Sequence, residues 1–352
     1  MAGGSDRVLE LKSTVNQILR LVRAIPGRRS GLVLSRFLVY LFRKFVLRRP
    51  VPYYFSLEIT RRCQARCAHC CAEASPRDRR PELTTEEVKS LILGARSTGS
   101  CFMIFNGGEP LLRPDLPELV RFAADNGFQT RLNTNALLLD RARVTALKKA
   151  GLRQCAVSLD SADPTTHDRM RGVPGTQDKV LESLRLLRAA RLDSVVYTFV
   201  SKRNTAADLR ATIALARRAG ARSLYLTPLI AAGRLSGEFG QTLDAQEMES
   251  IRRLQDSRVV HMEVPSRLSN CNAYRRFVIH VTAQGDATAC PFTPFVLADV
   301  RQVPLPVIWD RFQAGLKFHS RGACPLNDRE SRREFESYAG DVARRLRSEA
   351  DV

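Results

Sequence analysis

From residue 53 onward, short apolar runs alternate with longer segments in which apolar residues recur at helical spacing. Runs such as Tyr53–Ile59 and Cys101–Phe105 are typical of buried strands, whereas Arg141–Ala150 is typical of an amphipathic helix. Thr84, followed three residues later by Glu87, has the spacing of a capping box and predicts a helix start. Strands that alternate with helices in this way predict βαβ units and a parallel sheet.

The same alternation continues to about residue 228, and it sets the expected fold class. Further helices are predicted at Leu116–Asp125, Arg141–Ala150, Val180–Ala190 and Ala206–Ala219, and further strands at Gln129–Asn133, Gln154–Leu159, Ser194–Val200 and Ser223–Leu226. Six strands are too few to close an eight-stranded barrel, so we expect an α/β fold built as an open, partial (β/α)6 barrel. Ligands should then bind over the carboxyl ends of the strands.

Residues 1–50 differ from the rest because they carry eleven Lys and Arg against two Asp and Glu, within a chain of net charge +20. The apolar run at 31–47 is interrupted by Arg36, Arg43 and Lys44, so it is too charged to span a bilayer. We expect a basic amphipathic helical arm that packs on the core or lies at a membrane interface. The charge also fits a general arginine bias; peripheral membrane contact stays open, and nucleic acid is the less expected partner.

The overall composition is ordinary for a soluble globular protein, with 44% hydrophobic and 26% charged residues. The sequence shows no signal peptide, which predicts a cytoplasmic protein. We predict a helical arm at 1–50, a barrel domain at 51–235, a linker helix at 236–270 and a small C-terminal domain at 271–345.

The candidate chemistry starts with Cys63, Cys67 and Cys70, which follow the first strand as Cys-x3-Cys-x2-Cys. Thiolates are the ligands that iron–sulfur clusters select, and three of them would leave one iron of a four-iron cluster open to a small molecule. A disulfide is disfavoured in a cytosolic protein, and structural zinc would normally show a second Cys pair. Cys71 is a competing ligand beside Cys70, whereas Cys101 and Cys155 lie in predicted strands and are expected in the core.

A second loop of small and polar residues follows the second strand as Gly107-Gly108-Glu109-Pro110. Paired glycines let the backbone approach a ligand closely, and a carboxylate accepts hydrogen bonds from an ammonium group. Taken alone this sequence is a common turn, but after a cysteine loop on the preceding strand it indicates a ligand site.

Together the two loops resemble those of the radical S-adenosylmethionine (SAM) enzymes, over about residues 52 to 325. The resemblance implies a [4Fe–4S] cluster on Cys63, Cys67 and Cys70, with SAM on the fourth iron. In that family, reduction cleaves SAM to a 5′-deoxyadenosyl radical that abstracts hydrogen from a substrate. His69 stands where the family usually has an aromatic residue.

The same resemblance assigns the SAM-binding residues. It implies that Gly108 and Glu109 hold the methionyl amine, and that contacts to the carboxylate or ribose come from residues at the next strand ends and from an arginine, with Arg169 as the alternative to Arg171. The full predicted set is Gly107, Gly108, Glu109, Thr134, Asn135, Ser158, Asp160 and Arg171. Ala136 replaces the glycine that is usual in that turn of the family.

A second cysteine set lies in the C-terminal part. Cys271 and Cys290, with Cys324 as the only later cysteine, resemble the SPASM and Twitch extensions, which implies one auxiliary [4Fe–4S] cluster; ordinary buried cysteines are the alternative. A hairpin is predicted from Phe277–Val281 and Asp286–Ala289, and a connecting helix over 241–258.

The resemblance therefore implies an enzyme that acts on a ribosomally made peptide or on another natural-product or cofactor precursor, with flavodoxin or ferredoxin as electron donor. A non-catalytic iron–sulfur or zinc-binding redox or scaffold protein is the alternative from a different class. A radical SAM modifier of nucleic acid or lipid is a third interpretation, motivated by the basic arm.

Overall fold

The structure is a computed structural model that describes residues 29–72, 80–256, 259–262, 277–315 and 324–348. Its centre is one ten-stranded sheet in the order β10-β9-β8-β1-β2-β3-β4-β5-β6-β7. The strands are β1 Tyr54–Glu58, β2 Phe102–Asn106, β3 Gln129–Thr134, β4 Gln154–Ser158, β5 Asp193–Val200, β6 Ser223–Pro228, β7 Val260–Met262, β8 Val278–Val281, β9 Asp286–Thr288 and β10 Val296–Asp299. The expected α/β class and open, partial barrel are confirmed, since β1 to β7 are parallel neighbours and, among the described residues, the edge strands β7 and β10 do not pair with each other.

Helices connect the parallel strands and cover the outer face of the sheet. They are α1 Arg29–Leu41, α2 Thr85–Thr98, α3 Leu116–Asp125, α4 Arg141–Ala150, α5 Pro164–Arg171, α6 Thr176–Ala189, α7 Ala206–Ala219, α8 Ala245–Arg252, α9 Leu305–Gly315 and α10 Arg329–Ser348. The predicted capping box of α2 is present, with Thr84 and Glu87 bonded reciprocally. Phe55 and Leu57 of β1 are fully buried against these helices, while Ser56 and Glu58 point to the inner face of the sheet.

The sequence analysis missed the strand that follows β6 at one edge of the sheet. The helix predicted over 241–258 is only α8, and the chain then adds β7, which pairs parallel with β6. Asp256 explains the early turn, because its carboxylate accepts hydrogen bonds from the N–H groups of Val259 and Val260 at 2.5 and 3.2 Å. These bonds direct the chain into a strand that is too short to show an alternating pattern.

The predicted C-terminal hairpin is present as β8 and β9, which pair antiparallel. It does not form a sheet of its own, because β8 pairs parallel with β1 and extends the main sheet. Cys290 follows β9 and Cys324 precedes a 3-10 turn at Pro325–Asn327, whereas Cys271 lies outside the described residues.

Part of the basic arm is described as α1 and a π-helical turn at Phe42–Val46. The buried face of α1, including Phe37 and Tyr40, packs on Tyr53 and Phe102 near the amino ends of β1 and β2. The arm therefore covers the end of the sheet opposite the expected ligand site. In the described ranges no helix has the length and apolarity needed to cross a membrane.

Candidate active site

The predicted cysteine loop starts five residues after β1 and lies at the carboxyl edge of the sheet. Backbone bonds fasten it to α5, since Arg66 N–H donates to the carbonyl of Arg171 and Ala68 N–H donates to that of Met170. Gly172 permits this contact because its φ is +70° and a Cβ there would lie 2.7 Å from the Arg66 carbonyl oxygen.

A second clamp on the loop comes from the segment after β6. Arg234 donates from its backbone N–H to the Cys70 carbonyl at 3.0 Å and from Nη1 to the Cys67 carbonyl at 3.1 Å. Gly233 has φ +58°, and a Cβ on it would meet the Cys70 carbonyl oxygen at 2.0 Å. The described part of the C-terminal extension supports this clamp, because Asn327 bonds to the backbone of Leu229 and Ala231.

The three predicted cluster ligands are exposed or half-buried on this loop. Asn135 Nδ2 lies 3.6 Å from Cys63 Sγ, and Arg171 Nη1 lies 3.8 Å from Cys67 Sγ. Burial raises the pKa of the Cys63 thiol, the Ala65 N–H lowers it, and negative charge on Glu109, Cys67 and Cys70 raises it further.

These features fit a cluster, because thiolates that repel one another are stabilised when a metal centre binds them. In the part of the chain that the structure describes, no three His, Cys, Asp or Glu side chains are already arranged around a metal position. Cys71, the competing ligand, lies in a different environment: burial, together with Cys70 and Glu58, raises its pKa to about 12.

The Gly107–Gly108 turn is packed against the chain that leads from β1 to the cysteines. A Cβ on Gly107 would lie 2.4 Å from the Thr60 carbonyl oxygen, and one on Gly108 would lie 2.5 Å from those of Arg61 and Arg62. The N–H groups of Gly108 and Glu109 donate to Thr60 and Arg62 at 2.8 Å. Both glycines are therefore required by close backbone packing between the two loops.

Glu109 is fully buried, and its carboxylate accepts hydrogen bonds from three groups of the same chain. It accepts hydrogen bonds from Thr134 Oγ1 at 2.8 Å and from the N–H groups of Asn135 and Leu111 at 2.8 and 3.0 Å. The hydroxyl of Thr134 also accepts from the N–H of Ala136. The structure thus brings Glu109, Thr134 and Asn135 together, with Glu109 acting as a buttress for the turn after β3.

Ala136 stands in that turn at the position where the resemblance expects glycine. It has φ +70° and is fully buried. An alanine in this left-handed region costs roughly 1–2 kcal/mol relative to an unstrained conformation. The glycine-like turn geometry is therefore kept despite the substitution.

A buried charged group lies on the other side of the cysteine loop. Asp160 is fully buried, and its Oδ2 lies 2.7 Å from Arg171 Nε and 3.7 Å from His69 Nε2. Burial lowers the pKa of His69 and of His167 to about 4, so both rings are neutral near pH 7. Neutral His167 accepts the Asp160 N–H at Nδ1, and the ring of His69 packs 4.3 Å from that of Phe199.

Ser158, Arg169 and Arg171 are the remaining predicted residues. Ser158 ends β4 opposite Tyr197 and is half-buried, whereas Arg169 is exposed. Arg171 Nη2 is buried and has no hydrogen-bond partner within the described ranges. Of the two arginines in this segment, only Arg171 is placed at the cysteine loop.

One structural arginine was missed by the sequence analysis. Buried Arg113 donates from Nη1 to the carbonyl oxygens of Ile59 and Leu83 at 2.7 and 2.8 Å and pairs with Asp115. An arginine between Leu112 and Pro114 carries no periodic signal, so only the fold shows that it joins the carboxyl end of β1 to the start of α2.

An open parallel barrel with a three-thiol loop at its carboxyl edge defines the radical SAM class. Residues 57–216 match the Radical SAM superfamily, so the chain contains a radical SAM domain.

The chain is similar to two kinds of enzyme in sequence. It is 37% identical to an AdoMet-dependent heme synthase of Methanosarcina barkeri over 52% of each chain, so it spans about half the length of that relative. It is 28% identical to a PqqA peptide cyclase of Granulibacter bethesdensis over 76% of each chain.

The fold is also similar to a solved structure, that of Streptococcus suis SuiB bound to its precursor peptide SuiA. The TM-score is 0.64 at 14% identity, and the similarity covers 84% of this chain and 73% of SuiB. It therefore extends past the radical SAM domain into the C-terminal extension.

Proposed function

We propose that this enzyme binds a [4Fe–4S] cluster through Cys63, Cys67 and Cys70 and uses it to cleave SAM reductively. The observation that carries this proposal is the position of the three thiols on one clamped loop, between the Gly107–Gly108 turn and the buried guanidinium of Arg171. The C-terminal strand ends are where parallel barrels bind their ligands.

Cys63, Cys67 and Cys70 would hold the cluster, which would supply one electron at a time, from a flavodoxin- or ferredoxin-type donor, for cleavage of the SAM sulfonium to methionine and a 5′-deoxyadenosyl radical that takes a hydrogen atom from the substrate. The protein's part is to position the reactants and to exclude water. Arg171 would bind the methionyl carboxylate through Nη2, which is buried without a partner among the described residues.

The other predicted SAM-binding residues fall into two groups: those already hydrogen-bonded within the protein and those that would face the ligand. Glu109 and Thr134 are bonded to each other, so they would act as positioning residues for Asn135. The backbone of Gly107 and Gly108 would receive the methionyl amine, and Ser158 and Asp160 would face the ribose side of the ligand.

The substrate is proposed to be a peptide, with a small natural-product or cofactor precursor as the alternative. The similarity to the peptide cyclase supports the first class because it spans 76% of each chain, and the SuiB structure holds a precursor peptide on the same fold. The heme synthases support the second class, but over only about half of each chain.

Two finer assignments complete the proposal. Cys271, Cys290 and Cys324 would bind one auxiliary [4Fe–4S] cluster; the last two are half-buried beside the core in the described residues. The chain would work in the cytoplasm, where α1 would contact anionic membrane surfaces. Support comes from exposed Leu38, Phe42 and Val46 on one basic helical segment.

The test is anaerobic reconstitution with iron and sulfide, followed by dithionite and SAM, with 5′-deoxyadenosine measured by chromatography. The wild type should release 5′-deoxyadenosine, and alanine variants of Cys63, Cys67 or Cys70 should lose the product and the part of the cluster absorbance that the auxiliary cluster does not supply. Cys71→Ala is the matched control and should keep both. Product formation by the triple alanine variant would overturn the assignment of the three thiols, and absence of product with the reconstituted wild type would favour the non-catalytic alternative.

A further inference from the structure

A continuous row of polar side chains crosses the inner face of the sheet beside the cysteine loop. Asn133 Nδ2 donates to Asn106 Oδ1 at 2.6 Å, and Asn106 Nδ2 donates to Ser56 Oγ at 2.7 Å. Ser56 Oγ lies 2.9 Å from His280 Nδ1, and His280 Nε2 lies 3.7 Å from Glu58 Oε1. We call these five residues the inner polar row; they come from β3, β2, β1 and β8.

The hydrogen bonds of the inner polar row show which of its atoms lack a donor. Each asparagine donates toward Ser56, which leaves the Ser56 hydroxyl proton available to His280 Nδ1; in the tautomer that accepts it, the His280 proton lies on Nε2, facing Glu58. The separation of 3.7 Å from Nε2 is too long for a hydrogen bond. Both ends of the row are then acceptors: Glu58 Oε2 and Asn133 Oδ1 are buried and have no partner within the described ranges.

Glu58 is the decisive group. Its side chain is only 8% exposed, and a carboxylate buried without a strong partner is costly. A row that served folding alone would have both ends paired, because buried polar groups are normally satisfied. Glu58 ends β1, five residues before Cys63, and its charge acts on the thiol of Cys71. The missing partner would therefore come from a molecule held at the cysteine loop.

We propose that Glu58 binds an ammonium or guanidinium group of the substrate, and that the inner polar row is its specificity site. This inference rests on the proposed function, since the substrate must lie over the inner face to meet the radical. A cation supplies the donors that Oε2 lacks, and a charge-assisted bond of this kind is among the stronger ones. His280 lies 3.7 Å from the same carboxylate, and Asn133 would accept a second donor from the same substrate.

The test is a binding measurement that needs no radical chemistry. Peptide pools with randomised flanks and a central Lys, Gln or Glu are equilibrated by anaerobic dialysis against reconstituted enzyme with SAM and no reductant, and retention is measured by mass spectrometry. The chain has a net charge of +20, so its general field favours the Glu pool. Preference for the Lys pool would oppose that background.

The wild type should retain the Lys pool about tenfold better than the Gln pool. Glu58→Gln should abolish this preference, and Glu58→Asp should keep part of it. Glu182→Gln is the control, because Glu182 is an exposed glutamate on the outer helix α6. Equal retention of the pools by the wild type, or an unchanged preference in Glu58→Gln, would overturn the proposal.

Two further measurements separate the possible failures. n-Butylammonium chloride should displace the Lys pool from the wild type and sodium butyrate should not, which decides the matter even if Glu58→Gln does not fold. Release of 5′-deoxyadenosine by the wild type and Glu182→Gln tests the proposed function separately, because cation preference does not depend on SAM cleavage.

Discussion

Arg171 Nε lies 2.7 Å from Oδ2 of Asp160, and both side chains are buried. Burial opposes ionisation of Asp160, yet the charge of Arg171, with smaller contributions from the adjacent His69 and His167 rings and the N–H of Phe199, outweighs it and holds the pKa of the carboxyl below its usual value. The same guanidinium places Nη1 3.8 Å from Cys67 Sγ. One arginine thus connects the carboxyl end of β4 to the proposed cluster loop.

Changing Arg171→Gln should therefore affect both stability and cluster binding. Asp160 would be left as a buried charge without its partner, which typically costs about 3–5 kcal/mol. We expect that loss in urea-induced unfolding of the anaerobic protein, together with a lower iron content after reconstitution.

Arg169→Gln is the control for that experiment, because Arg169 is on the same helix but exposed. It should change the free energy of unfolding by less than about 0.5 kcal/mol. Equal effects of the two substitutions on iron content would contradict the role assigned to Arg171.

The contact between Gly233 and Cys70 gives a second prediction. Gly233→Ala would place a Cβ 2.0 Å from the Cys70 carbonyl oxygen, so the loop must move. Gly237→Ala is a matched control, since Gly237 also has a positive φ, +89°, but has no atom within 4 Å of its Cβ position.

Both alanines should carry the strain of the left-handed backbone, about 1–2 kcal/mol. Only Gly233→Ala should also lower iron and sulfide content per chain, measured by colorimetric assay after reconstitution. Normal iron content in Gly233→Ala would show that the segment after β6 does not position the cluster ligands.

The buttress role of Glu109 gives a third prediction. A glutamine there keeps one acceptor oxygen but turns an NH2 group toward N–H or O–H donors, leaving buried groups unpaired. Glu109→Gln should therefore destabilise the protein by about 1–3 kcal/mol. Thr134→Val removes one of the three bonds and should cost less; the reverse order in thermal unfolding would contradict this role.

The sequence predicted the bounds of α3, α4 and α7 to the residue. Both α4 and α7 begin and end at the expected residues, since Asp140 and Thr205 cap their first turns and Gly151 and Gly220 follow their last. These signals are local, so one sequence contains them.

Local signals of this kind do not predict which distant strands pair with each other. Nothing in the sequence of β8 says that it pairs with β1, more than two hundred residues earlier. The inner polar row depends on that pairing, because it joins His280 to Ser56 and Glu58. The cysteine positions were readable from spacing, whereas the bonding of Glu109 required the turn after β3 to be built.

Glu87 gives a prediction of pH dependence in which the sign can be worked out. The hydrogen bond from Arg301, at 2.6 Å, and those from Thr84 lower the pKa of Glu87 from 4.5 to about 2. A carboxyl whose pKa is lower in the folded state stabilises the protein above the unfolded pKa and loses this contribution as pH falls from about 4.5 toward 2.

Arg301→Gln should therefore reduce the acid sensitivity of unfolding in that interval. The side chain is partly exposed, so the difference should be about 1 kcal/mol or less. Urea unfolding of wild type and variant between pH 6 and 3 measures it, with Lys179→Gln as an exposed ion-pair control; parallel pH profiles for wild type and Arg301→Gln would show that this contact between α2 and the C-terminal extension does not set the shift.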